Sequence, residues 1–185
     1  MLAQDVIEDD RRLLEAVRQR DTQALEELYE KYRGVCYALS QRILNDWQAA
    51  EEAVQDAFVA IWRRAETYRS EAGAVRTWIL AITRNAAIDR LRREKKPRSQ
   101  LPLFDDAIAE SSTAREFGAI VDRELMSKAL NDLPEEQRYA IELAYFGGYT
   151  YPEIAEALDV PVGTIKSRIR LALEKMRLAI KLDPV

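Results

Sequence analysis

Three groups of side chains in this sequence have the types and spacing for directed contacts, and none has the make-up of a catalytic centre. The first is acidic. Glu51, Glu52, Gln55 and Asp56 fall on one arc of a helical pattern whose other arc holds Ala50, Ala53, Val54, Ala57, Phe58 and Ile61; such a face repels DNA and suits a cationic protein helix. The second group is mixed. At about 100° per residue, Asn85, Asp89, Arg92 and Arg93 lie within about 60° of Trp78, while Leu80, Ala87 and Leu91 cluster opposite. Aromatic rings stack on any base, and amides and guanidiniums make directed hydrogen bonds, so this face matches unstacked bases and backbone phosphates. The third group is Thr164, Ser167, Arg168, Arg170 and Lys175, which fall outside the apolar arc of Ile165, Ile169, Ala172, Leu173, Met176 and Ile180. Arginine and lysine reach guanine edges or phosphates, and hydroxyls reach either. Each group also has a plainer reading, as a solvated helix face, a tryptophan capping a helical core, or the outer side of a helical hairpin.

The residues that are absent narrow the chemistry further. The 185-residue chain has no histidine and one cysteine, Cys36, which excludes histidine-based triads, histidine-ligated zinc and an internal disulfide framework. Without a histidine to activate it, Cys36 reads as a small packed residue. No phosphate-binding glycine loop, metal-ligand cluster or nucleophile–base pair is visible, and no cofactor is expected.

Helices must position these groups. Helical periodicity dominates and no useful length alternates with the strand period, so the expected fold is all-α. Asp21-Thr22 is read as capping a helix to about Leu44; Asn45-Asp46 then interrupts before a second helix, and a third spans about Thr77 to Arg93. Tyr68 to Ala74 is a polar connection. Periodicity fails from Pro97 to about Thr113, which predicts two small helical domains joined by a flexible linker: 1–96, a linker at 97–113, and 114–185. In the second domain a helix is expected over about Ala114 to Asn131, followed by Pro134 in the first turn of the next, which Gly147-Gly148 ends. Thr150 and Glu153 form a capping-box pair that starts a short helix at Tyr151. Asp159-Val160-Pro161 stops it, and a basic helix over about Val162 to Ile180 completes a helix-turn-helix.

The composition agrees with such a protein. Apolar residues make up 48% and charged residues 32%, a globular balance; no apolar run reaches a membrane span and the acidic start lacks a signal peptide's pattern, so a cytoplasmic location is expected. Net charge is −4, yet residues 84–98 and 160–185 are strongly basic while 1–61 and 99–159 are acidic. Two cationic patches on an acidic chain suggest two contacts with a polyanion and separate surfaces for a protein partner.

Three stretches resemble the extracytoplasmic-function group of bacterial RNA polymerase sigma factors. Residues 50–58, AEEAVQDAF, look like that family's polymerase-docking helix; Thr77-Trp78-Ile79 through Asn85 and Asp89 to Arg92-Arg93 looks like its minus-ten promoter helix. Leu133-Pro134-Glu135-Glu136-Gln137-Arg138, Ile154-Ala155 and Pro161 to Arg168 look like its minus-thirty-five domain. The resemblance implies that Glu51, Glu52, Gln55 and Asp56 dock on the β′ clamp coiled coil of core RNA polymerase, with the β flap as a further contact. It implies that Asn85 and the Tyr68 to Ala74 loop hold exposed bases of the melted minus-ten element, and that Arg138, Lys166, Ser167 and Arg170 contact the minus-thirty-five duplex of promoter DNA, beside Thr164 and Arg168. An anti-sigma factor is a further implied partner. Leu171 departs from the pattern, since many members carry arginine there. A helix-turn-helix regulator binding duplex DNA unaided is the competing reading, although nothing in that class requires the acidic helix or the Trp78, Asn85, Arg92 face.

Overall fold

The structure is a computed structural model that describes residues 2–94 and 128–182. The described residues are helical, with no strand among them, and the chain divides into two compact units, Met1–Ala119 and Ile120–Val185. The expected linker at 97–113 and most of the expected helix from Ala114 lie outside the described residues; 128–131, at that helix's end, are helical.

The first unit is built from α1 (Leu2–Arg18), α2 (Thr22–Leu44), α3 (Trp47–Arg64) and α4 (Val75–Glu94). Helix α1 goes beyond the elements read from the sequence. Its charge-dense first half masks the periodicity, yet Leu13, Leu14 and Val17 are buried, with Asp10 buried beside them. It ends with Arg20 in the left-handed region (φ 66°), whose N–H donates to the Val17 carbonyl while that of Asp21 donates to Ala16, a paired closure that usually uses glycine. The Asp21 side chain then caps α2 by accepting from the Gln23 and Ala24 N–H groups. Asn45 closes α2 at φ 54°, and Asp46 accepts from the Ala49 N–H to start α3, as the Asn-Asp pair predicted.

Residues 24, 28, 32, 36 and 40 give α2 a buried ridge at four-residue spacing, from Ala24 through Leu28, Tyr32 and Cys36 to Ser40. The predicted apolar arc of α3 is buried in full, with Ala49 added. Four small alanines in that arc allow close helix approach, and Tyr29 meets Phe58 edge-on at 5.1 Å between ring centroids. Helix α4 packs against α1, α2 and α3. It begins two residues earlier than predicted and is buried nearly all round between Ile79 and Arg84. Its outward face is therefore confined to its first turn and its second half.

In the second unit, α5 (Glu135–Ile141) starts one residue after Pro134, which takes the N-cap position with φ −52° and ψ 141°. It widens into a π-helical turn, Glu142–Phe146, that stops at Gly147. The predicted capping box at α6 (Tyr151–Ala157) is complete: the Thr150 hydroxyl oxygen accepts from the Glu153 N–H, and the Glu153 carboxylate accepts from the Thr150 N–H at 2.6 Å. Asp159 (φ 51°) closes α6, and α7 (Val162–Leu182) follows. Ile165, Ile169, Ala172, Leu173 and Met176 of α7 are buried against α5 and α6 with Ala140, Ile141, Ile154 and Ala155. Each large side chain so buried contributes about 1.5 to 3 kcal/mol.

Candidate nucleic-acid and protein-docking surfaces

Helix α3 carries the acidic face where its periodicity predicts it, with Glu51, Gln55 and Asp56 exposed and Glu52 half-buried. The face is not purely acidic. Arg90 of α4 reaches across and pairs with Glu52 and with Asp56, the latter at 3.4 Å. One guanidinium thus bridges two carboxylates one helical turn apart, leaving Glu51 and Gln55 outside the bridge. Helix periodicity alone gives no signal for this contact, since it joins residues 34 and 38 positions apart.

On α4, Trp78 and Asn85 are half-buried while Asp89, Arg92 and Arg93 are exposed. The five predicted residues share one side of the helix, but the strip is interrupted between Trp78 and Asn85 by the buried Ala81 and Ile82; the opposite residues Leu80, Ala87 and Leu91 are buried. Trp78 is not a bare ring: Tyr68 meets it edge-on, with centroids 5.7 Å apart and planes at 65°. The Tyr68 hydroxyl also donates to the Gly73 carbonyl at 2.9 Å, so the connecting loop, which includes a short 3-10 turn at Ser70–Ala72, is closed on itself beside the strip. Gly73 stands at φ 141°, where side chains are rarely accommodated.

Polar groups inside the first unit were not legible in the periodicity. The Tyr32 hydroxyl donates to the buried Asp10 carboxylate, whose other oxygen lies 2.6 Å from Lys31 Nζ. Burial, then the Asp10 contact, pushes the Tyr32 hydroxyl far above its ordinary range. The nearby Arg76 guanidinium is lowered by burial, opposed by the Tyr32 and Asp10 charges. Cys36 is fully buried and lies 3.3 Å from the Thr83 hydroxyl, which donates to the Ile79 carbonyl. Burial pushes its thiol up to about 11, in keeping with a packing residue rather than a nucleophile.

The helix-turn-helix presents Lys166, Ser167 and Arg170 to solvent at the start of α7, with Thr164 and Arg138 half-buried. The Ser167 hydroxyl donates to the Gly163 carbonyl at 3.0 Å, and Arg170 leans along the helix to Glu174 at 3.5 Å. Arg168 differs from its outward placement in the sequence pattern. It is half-buried and pairs with Glu136 of α5 at 2.6 Å, tying α7 to α5. Leu171 is exposed on the outer side. Among the described residues there is no group of three or more potential metal ligands, and no helix is long and apolar enough to cross a membrane.

The Sigma-70 region 2 family model matches residues 28–96, covering α3, α4 and most of α2, and the Sigma-70 region 4 model matches 123–176, covering α5, α6 and most of α7. The ECF RNA polymerase sigma factor RpoE of Cereibacter sphaeroides is 35% identical over 166 residues, 89% of this chain and 91% of its own length. The chain belongs to the extracytoplasmic-function sigma factors. The ECF sigma factor SigK of Mycobacterium tuberculosis is 32% identical over 173 residues, 89% of this chain and 90% of its own. Among solved structures, Rhodobacter sphaeroides SigE in complex with the anti-sigma ChrR is 32% identical, covers 93% of this chain and 98% of its own, and has a TM-score of 0.46. This sigma factor is accordingly a transcription initiation factor with DNA-binding regions 2 and 4, in a family that acts without catalytic chemistry of its own. Helix α1 precedes the region 2 match.

Proposed function

We propose that this sigma factor directs promoter-specific initiation by dividing three contacts among the surfaces described above. Glu51, Glu52, Gln55 and Asp56 dock on the β′ clamp coiled coil of core RNA polymerase. The Trp78, Asn85, Asp89, Arg92 and Arg93 strip, with the Tyr68 to Ala74 loop, holds the melted minus-ten strand. Arg138, Thr164, Lys166, Ser167 and Arg170 read the minus-thirty-five duplex, and Arg168 serves there chiefly by fixing α7 against α5. The second unit also contacts the β flap, and residues 97–113 tether the two readers, so that each raises the effective concentration of the other at the promoter. An anti-sigma factor, of the kind SigE carries in its complex with ChrR, restrains the protein until it is needed, in the cytoplasm.

The observation that most supports this reading is the contrast of faces within one unit: an exposed acidic face on α3, and on α4 a half-buried indole and amide in line with exposed guanidinium groups. A regulator binding duplex DNA alone has no use for the former. With net charge −4, appreciable DNA affinity belongs to the holoenzyme, not to the free factor. The test is to sequence transcripts made in vitro by core polymerase plus this chain, which maps the promoter. On that promoter Asn85→Ala is expected to slow strand opening and to recover in part on a template mismatched across the minus-ten element. An Asn85→Ala defect confined to duplex affinity, with no recovery on the mismatched template, would refute the single-strand role.

A further inference from the structure

The loop between α3 and α4, residues 65–74, is held by hydrogen bonds from its own side chains to its own backbone. Tyr68, which follows the 3-10 turn Ala65–Thr67, reaches over the rest of the loop to donate its hydroxyl to the Gly73 carbonyl at 2.9 Å, while the Gly73 N–H donates back to the Ser70 carbonyl at 3.3 Å. The Arg69 guanidinium donates to the Glu66 and Tyr68 carbonyls at 2.8 and 3.1 Å, fixing the loop's entry. Gly73 supplies the φ of 141° that lets the chain turn into α4. Tyr68 thus closes a ring of six residues, and the same side chain lies edge-on to Trp78. Hydroxyl and ring do different things: one fixes the backbone, the other fixes the indole.

We propose that Tyr68 is the positioning residue of the minus-ten strip: its hydroxyl straps the loop and its ring backs Trp78, so the base-binding surface is formed before DNA arrives. The proposal rests on the reading of α4 as the minus-ten helix and extends it to a residue outside the strip. A loop that must order on binding spends part of the contact energy on its own conformational entropy, whereas a strapped loop does not. The strap also bears on selectivity. A base is discriminated by polar groups held at fixed positions, and a loop free to shift can satisfy a wrong base as well as the right one.

Tyr68→Phe keeps the ring against Trp78 and removes only the strap; Gly73→Ala attacks the same closure from its other end through backbone strain. Holoenzymes carrying each variant, and Asn85→Ala, would be titrated with the non-template minus-ten oligonucleotide of the mapped promoter. A series with one base changed at a time would follow, using 2-aminopurine fluorescence as the readout. Tyr68→Phe is expected to weaken binding of the cognate strand about fivefold, within the range for one lost hydrogen bond, and to reduce discrimination at one base position more than at the others. Gly73→Ala should do the same, and affinity for core polymerase should not change for Tyr68→Phe. A uniform loss at every base position, or a matching fall in polymerase affinity, would mean that Tyr68 only supports the fold, and would overturn the proposal. Wild-type binding by Tyr68→Phe beside a weakened Asn85→Ala would overturn it while leaving the minus-ten reading standing. If Asn85→Ala also bound as wild type, the reading and the proposal would fall together.

Discussion

Reversing the charge of Glu52 and Asp56 tests the docking face, but Arg90 makes the double variant a perturbation of the fold as well. The side chains retain 24% exposure at Arg90, 44% at Glu52 and 62% at Asp56, so solvent screens both pairs and each is worth about 0.5 to 1 kcal/mol. Glu52→Lys with Asp56→Lys removes both attractions and sets two ammonium groups against the guanidinium, a repulsion of similar size. The expected loss is about 2 kcal/mol, or roughly 10 °C in the melting temperature of a domain near 100 residues. That exceeds the roughly 0.5 kcal/mol of an ordinary surface change. Adding Arg90→Glu restores opposite charges across the same helix pair. The triple variant should recover most of the lost stability, with the difference between double and triple shrinking in 1 M salt, where screening reaches about 3 Å. Polymerase affinity, followed by titration of labelled core enzyme, should stay lost in both. Recovery of polymerase binding in the triple variant would show that the carboxylates served the fold and not the docking. A double variant that melted within about 2 °C of wild type would refute the stabilising role assigned to the Arg90 bridge.

Two further outcomes are expected from the polar groups inside each unit. Thr150→Ala should destabilise the second unit by about 1 kcal/mol, because it removes the acceptor for the Glu153 N–H, whereas Thr150→Ser should be near neutral; hydrogen exchange at α6 amides would detect the difference, and equal protection in both variants would refute it. Cys36 has a folded pKa raised to about 11 from 9.0, so the folded state holds its proton longer than the unfolded one, and its contribution is present below about pH 9 and lost as pH rises toward 11. The loss is on the order of 2 kcal/mol, and Tyr32, shifted the same way, adds to it at still higher pH. Urea denaturation between pH 8 and 11 should therefore fall less steeply for Cys36→Ala than for wild type, and parallel curves would contradict the assignment.

Much of the candidate site is legible in the amino-acid pattern. Exposure of Glu51, Gln55 and Asp56 on α3, and of Lys166, Ser167 and Arg170 on α7, follows from the positions of their apolar neighbours, because an amphipathic helix has only one way to bury its stripe. What periodicity could not reveal was the state of those charges. Arg168 sits at the margin of the apolar arc, and its long stem let it turn inward to Glu136, 32 residues away. The buried Asp10, Thr83 and Arg84 are polar residues at positions a pattern of apolar residues does not record. Helix α1 escaped for a related reason, since its charges outnumber its buried residues and its apolar stretch is too short to stand out.

The sequence by itself determined the ends of those helices that carry their own capping residues, and the buried faces of α3 and α7. Asp21, Asn45-Asp46, Gly147 and the Thr150–Glu153 pair act on backbone groups within a few residues of themselves, so their geometry is local and survives in any tertiary context. The tertiary structure alone decided the partners: Arg90 between Glu52 and Asp56, Tyr68 against Trp78, Tyr32 on Asp10. Apart from Tyr68 and Trp78, joined through a loop, these pairs link residues more than twenty positions apart. Their meeting depends on how helices cross and how far flexible side chains extend, and neither quantity exists until the core has packed.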